Sequence, residues 1–192
     1  MKNTLWKFML TVTVITGMLT SCKKDDKNVE LPPDPVDERE VITTVKLLFL
    51  DTADKGAIPV IAEFNDPDGD GGKPADKFDT IRLKPNKAYY TVIILLDRTK
   101  TPVDTVSNEV EEKGYEHQFF FHPAGNSIAI QYLDKDKNNL PIGLVSLWKT
   151  GITTTGKSST TQVVLRHQPG VKNGTEVPGE SDVDIKFPTL IK

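Results

Sequence analysis

Asp182-Val183-Asp184-Ile185-Lys186-Phe187 is the stretch that decides the fold class. Val183, Ile185 and Phe187 alternate with Asp182, Asp184 and Lys186. A period of two suits a strand with one face on a core and the other in water. Working back from it, similar runs recur. Thr161 to His167 and Leu144 to Trp148 predict two more strands. Ile128 to Leu133 and Glu116 to Phe121 predict another two, with Pro123-Ala124-Gly125-Asn126 between them as turn material. Tyr89 to Leu96 is apolar at both parities, which predicts a central strand covered on both faces. Phe78 to Leu83, Ile58 to Phe64 (with Pro59 near its start) and Val41 to Phe49 complete the set. The one helix-like stretch, Ser107 to Lys113, reads equally as an acidic edge strand. Short strands between turn signals, without long helical periodicity, predict an all-β fold: an immunoglobulin-like antiparallel β-sandwich over residues 41–192.

The N-terminus reads as an address. Lys2 and Lys7 form a short positive region, and Phe8 to Leu19 is uncharged and mostly apolar. That run is too short and too interrupted by Thr to span a bilayer stably, and suits the core of a secretory signal. It ends in Leu19-Thr20-Ser21-Cys22, which looks like a lipobox: small residues before the cleavage point, then a thiol that accepts a diacylglyceryl group. Residues 1–21 are therefore predicted to be a lipoprotein signal peptide, with Cys22 the lipidated first residue of the mature chain. Cys22-Lys23-Lys24-Asp25-Asp26 resembles the surface-export signal of Bacteroidota lipoproteins; the alternative is a solvated charge run opening a tether. Residues 22–40, with Pro32, Pro33 and Pro35 among acidic residues, predict a disordered, extended linker. Together these features place the domain on the outer membrane, anchored through lipid and exposed at the cell surface.

Composition narrows the function. Removing 21 of the 192 residues leaves 171, enough for one domain with a real core. Lys2 and Lys7 leave with the signal, taking the formal charge from −3 to −5. A mildly acidic domain without a basic stripe argues against nucleic acid as partner. Cys22 is the sole cysteine, so its acylation rules out a disulfide and a free thiol nucleophile. No Gly-x-Ser-x-Gly elbow or phosphate-cradling Gly loop is present. Lys149-Thr150-Gly151 matches one penicillin-binding motif, but the Ser-x-x-Lys partner exists only as Ser21 to Lys24, inside the lipobox, and Ser-Asp-Asn is missing. The expectation is a protein that is not an enzyme.

Two metal sites are candidates. Asp66, Asp68 and Asp70 at alternate positions, followed by Gly71, resemble the opening of a Ca²⁺ loop. Lys77 stands where an EF-hand has its closing Glu, so Asp76 or Asp79 would have to close it; the plain alternative is a polar turn between strands. His117 shares parity with Phe119 and Phe121, and His167 with Val163 and Leu165, so each points to the core face at a strand end. If those ends meet, Glu116, His117 and His167 can bind Zn²⁺ or Cu²⁺; if not, they are rim histidines hydrogen-bonded to backbone. His122, before Pro123, reads as a turn residue. The Phe119-Phe120-Phe121 run reads as core plus one covered outer position. Asp51-Thr52-Ala53, Asp79-Thr80-Ile81 and Asp104-Thr105-Val106 resemble the O-glycosylation sequence of exported Bacteroidota proteins, with Thr52, in an expected loop, the best candidate.

Phe64 to Gly72, Glu116-His117-Gln118-Phe119-Phe120-Phe121 and Leu165-Arg166-His167-Gln168-Pro169, in that order, resemble a family of small Bacteroidota outer-membrane lipoproteins often labelled type 1 periplasmic-binding-fold proteins. That label implies an α/β sugar-binding fold, which this chain is too short and too β-patterned to form. The resemblance implies an accessory lipoprotein working beside a TonB-dependent receptor in nutrient or metal uptake. The leading expectation is a surface-anchored module that binds a ligand or partner. The alternative is a structural or adhesive module whose loops contact glycan or protein, favoured by a long apolar patch on one sheet face.

Overall fold

The computed structural model describes residues 40–69, 72–125, 127–153 and 159–192. The predicted signal peptide, Cys22, the linker before Glu40, and Asp70 lie outside the described residues. The described residues from Glu40 onward form one compact unit, whose regular structure is almost all strand.

The strands are β1 (Thr44–Asp51), β2 (Val60–Asn65), β3 (Lys77–Phe78), β4 (Ile81–Leu83), β5 (Ala88–Leu96), β6 (His117–Ala124), β7 (Ile128–Tyr132), β8 (Val145–Thr150), β9 (Thr160–His167) and β10 (Glu180–Ile191). They make a six-stranded sheet in the order β3-β2-β1-β5-β8-β7 and a four-stranded sheet in the order β4-β10-β9-β6. The predicted all-β sandwich is therefore the fold. Its ladders are antiparallel except between β4 and β10, which run parallel. The acidic stretch after β5 is a helix, α1 (Val106–Glu112), whose Val106 and Val110 are buried one turn apart.

The inner faces meet in an aromatic core. Phe49 of β1 packs edge-on against Trp148 of β8 at 5.3 Å between ring centres. Phe121 of the other sheet meets the same indole at 5.4 Å. Trp148 is fully buried, and its indole N–H donates to Ser146 Oγ at 2.8 Å, so its one polar atom is satisfied. Phe119 and Phe187 are also fully buried, while Phe120 lies on the outer face, half-buried.

Three segments depart from the sequence expectation. Phe78 to Leu83 is not one strand: the chain leaves the larger sheet after Phe78 and joins the smaller one at Ile81. Asp79 holds the corner, its backbone N–H donating to the Glu63 carbonyl and its carboxylate accepting the Glu63 N–H. β5 is central, as expected, but its outer side is only partly covered. Tyr90 is half-exposed and Val92, Ile94 and Leu96 are half-buried. Pro123 falls in β6, an edge strand, where a residue without an N–H costs no ladder bond on the open side.

Candidate metal centre

The register of the four-stranded sheet brings the two predicted histidines together. β6 and β9 run antiparallel with His117 directly opposite His167. Both side chains point inward, and the imidazoles stack at 4.7 Å between centres with their planes 5° apart. His117 is fully buried and His167 nearly so.

A third donor comes from β10. In that strand Ser181 pairs with Arg166 and Val183 with the next residue, Leu165, so Asp182 is an extra residue in a β-bulge. Strict alternation would put Asp182 on the face opposite Val183. The bulge re-aims it inward, which bulges do. Its carboxylate is fully buried, with Oδ2 3.8 Å from His117 Nε2. One donor atom each from His117, His167 and Asp182 lie within 4.8 Å of one another. Just before the bulge, Gly179 has φ +79°, and a Cβ there would collide with the His167 carbonyl. Only glycine lets the chain pass so close to the histidine strand.

Glu116, expected as the third ligand, is not in this group, and Asp182 takes its place. Successive strand residues face opposite sides. Glu116 contributes through its backbone instead: its carbonyl accepts the Gln168 N–H at 2.6 Å, tying the strand ends together.

The His117 ring is set up as a donor. It lies one turn beyond the helix end, and Nδ1 donates to the Lys113 carbonyl at 3.2 Å. In the neutral ring this puts the proton on Nδ1 and leaves Nε2 bare, as in metal-ligating histidines. Nε2 is buried and has no hydrogen-bond partner. Burial pushes this imidazole down to about 4, opposed by the Lys113 carbonyl and reinforced by His167 beside it. It is thus neutral at pH 7, the form that binds metal. Zinc in a tetrahedral site places its donors about 3.3 Å apart, given bonds of about 2.0–2.1 Å. The group is wider than this by an ångström or so. Parallel rings also hold their in-plane lone pairs in separate, parallel planes, so binding one ion requires at least one ring to tilt.

A stability consequence follows for the metal-free chain. His117 is depressed in the folded state to about 4 from an ordinary 6.5. The unfolded chain therefore takes up its proton first as pH falls. The full contribution of the neutral ring is present above pH 6.5 and is lost between 6.5 and 4, by about 3 kcal/mol in all. Urea unfolding in chelator at pH 7 and pH 4.5 is expected to show this loss, with a clearly smaller pH effect in His117→Gln. Equal slopes in the two proteins would refute it.

The other predicted residues lie elsewhere. His122 sits in β6, not in a turn, and its Nε2 is 2.8 Å from Glu176 Oε2. In the Asp loop, Asp68 Oδ2 accepts the Lys73 N–H at 2.8 Å, as a turn-forming Asp does. Asp79, offered as a closing ligand, is engaged with Glu63 and Lys77. Asp70, the third acid of the expected Ca²⁺ loop, lies outside the described residues. Thr52 is half-buried, its hydroxyl donating to the Ala88 carbonyl at 3.1 Å. Among the described residues no helix is long and apolar enough to cross a membrane. Comparison of the chain with family models, with curated proteins and with solved structures returned no match.

Proposed function

We propose that this chain is a lipid-anchored, non-enzymatic binding module of the outer membrane that captures a borderline divalent ion, Zn²⁺ or Cu²⁺, at His117, His167 and Asp182. One observation carries the reading: two core-facing imidazoles sit directly opposite one another beside a buried carboxylate delivered by a bulge. Two imidazole nitrogens and one carboxylate oxygen suit these ions and leave a position open for water or a further ligand. The test is a calorimetric titration of the purified, chelator-stripped full chain with zinc. One equivalent is expected to bind; a titration without binding heat overturns the reading.

Anchorage through Cys22 is the second half of the proposal, supported by the position of the sole cysteine after an apolar run. Cys22→Ser is expected to move the protein from the membrane pellet to the soluble fraction of cells. An unchanged distribution would remove the anchor. An accessory role beside a TonB-dependent receptor belongs to the same proposal, since a captured ion must be passed inward.

A second reading, a contact module for another protein, is favoured by the outer face of the larger sheet. Ile61, Leu48, Val92 and Val145 lie in one register row across four strands, with Leu50, Tyr90 and Leu147 in another. Such a continuous apolar face is uncommon on a lone soluble domain. A zinc titration without binding would leave this reading in place of the first.

A further inference from the structure

Asp182 belongs to two places at once. It completes the histidine group, and it also lines a cleft of about 820 Å³ between β10 and the β1–β2 end of the larger sheet. Neither histidine lines this cleft. Its walls carry the acids Asp66, Asp68 and Asp184 around the buried Asp182, and Lys186 is the one cation among the described residues that line it. Between them lie valine, isoleucine and phenylalanine side chains. Low-dielectric walls with charge of one sign concentrate field lines and raise the local density of the opposite ion. Asp66 Oδ1 is a buried oxygen with no hydrogen-bond partner on this lining. Behind Asp182, His117 Nε2 is likewise buried and without a hydrogen-bond partner, facing the carboxylate at 3.8 Å.

We propose that this cleft is the entry path of the ion. The carboxylates of Asp66 and Asp68 gather a hydrated divalent cation, and Asp182 passes it to His117 and His167. The inference rests on the metal-site reading above and adds a route to it. A buried site needs such a route, because a hydrated dication does not cross an apolar core. Carboxylate oxygens can replace its waters stepwise before the imidazoles complete the shell. Asp182 is the one residue common to the cleft wall and the donor group.

The experiment is stopped-flow zinc association with the full chain, read by transfer of zinc from a chromophoric chelator, at low and high salt. In Asp66→Asn/Asp68→Asn the association rate is expected to fall on the order of tenfold at low salt, with the dissociation rate unchanged. High salt should erase most of that difference. Glu111→Gln/Glu112→Gln removes the same charge from helix residues outside the cleft and is expected to leave the rate unchanged. Equal slowing in both double variants would mean that only overall charge matters, and would overturn the path. So would an unaltered rate in Asp66→Asn/Asp68→Asn. A wild-type chain that takes up no zinc would overturn the metal site itself, an outcome distinguishable from either.

Discussion

His167→Ala, stripped with chelator and titrated with zinc at pH 7, is expected to bind at least ~100-fold more weakly than the wild type. That exceeds what losing a merely supporting partner usually costs, about 10- to 100-fold. His117→Ala should do the same, because it removes the ring whose bare Nε2 faces Asp182. Two further variants separate the observed ligand set from the one expected on sequence grounds. Asp182→Asn should weaken binding strongly, while Glu116→Gln should leave it within a factor of about two. The histidine variants are expected to remain folded, since the aromatic packing around Trp148 does not include the pair. If Glu116→Gln loses zinc and Asp182→Asn keeps it, the bulge-delivered carboxylate is not a ligand.

Lys172→Met is expected to cost about 3–5 kcal/mol of stability. Lys172 sits in the connection between β9 and β10, and its ammonium is almost wholly buried. It donates to the Asp136 carboxylate at 2.8 Å and to the Gly114 carbonyl at 2.7 Å. Burial pushes this lysine down, while Asp136 holds the charge in place. Removing the cation strands a carboxylate that is also nearly inaccessible. Two backbone amides, of Asn138 and Leu140, still reach Asp136, but they do not neutralise it. A midpoint lowered by roughly 10 °C is the matching thermal shift for a domain of this size. Lys172→Met/Asp136→Leu should recover much of the loss, because an apolar pair replaces an ion pair better than an orphaned charge does. A single variant as stable as the wild type would show that water reaches Asp136.

Much of the sandwich could be read directly from alternation. The β10 run, the inward Phe119 and Phe121 and the inward histidines all follow from a period of two, since one buried face sorts side chains by parity. What alternation does not contain is neighbourhood. His117 and His167 are fifty positions apart, and only sheet order makes them register partners. Asp182 is the instructive failure. Its sequence context looks like a strand with acids on the wet face, and one inserted residue reverses that for this position alone. The corner at Asp79 is similar: Phe78 and Ile81 both read as strand, but a two-residue step between sheets leaves no mark in hydrophobicity. The buried Lys172 was equally invisible, because a lysine in a Gly- and Pro-containing connection looks solvated until its two acceptors are in place.

The bulge in β10 has a mechanical meaning as well. β6, β9 and β10 are three adjacent strands, and the described residues contain no cysteine that could cross-link them. An ion held by one residue from each would act as a removable rivet through the sheet. At a free concentration 100 times its dissociation constant, such a ligand adds about 2.7 kcal/mol to the folded state. A domain facing proteases outside the cell would then be hardest to unravel when loaded and easiest when empty, so that cargo and durability would rise and fall together.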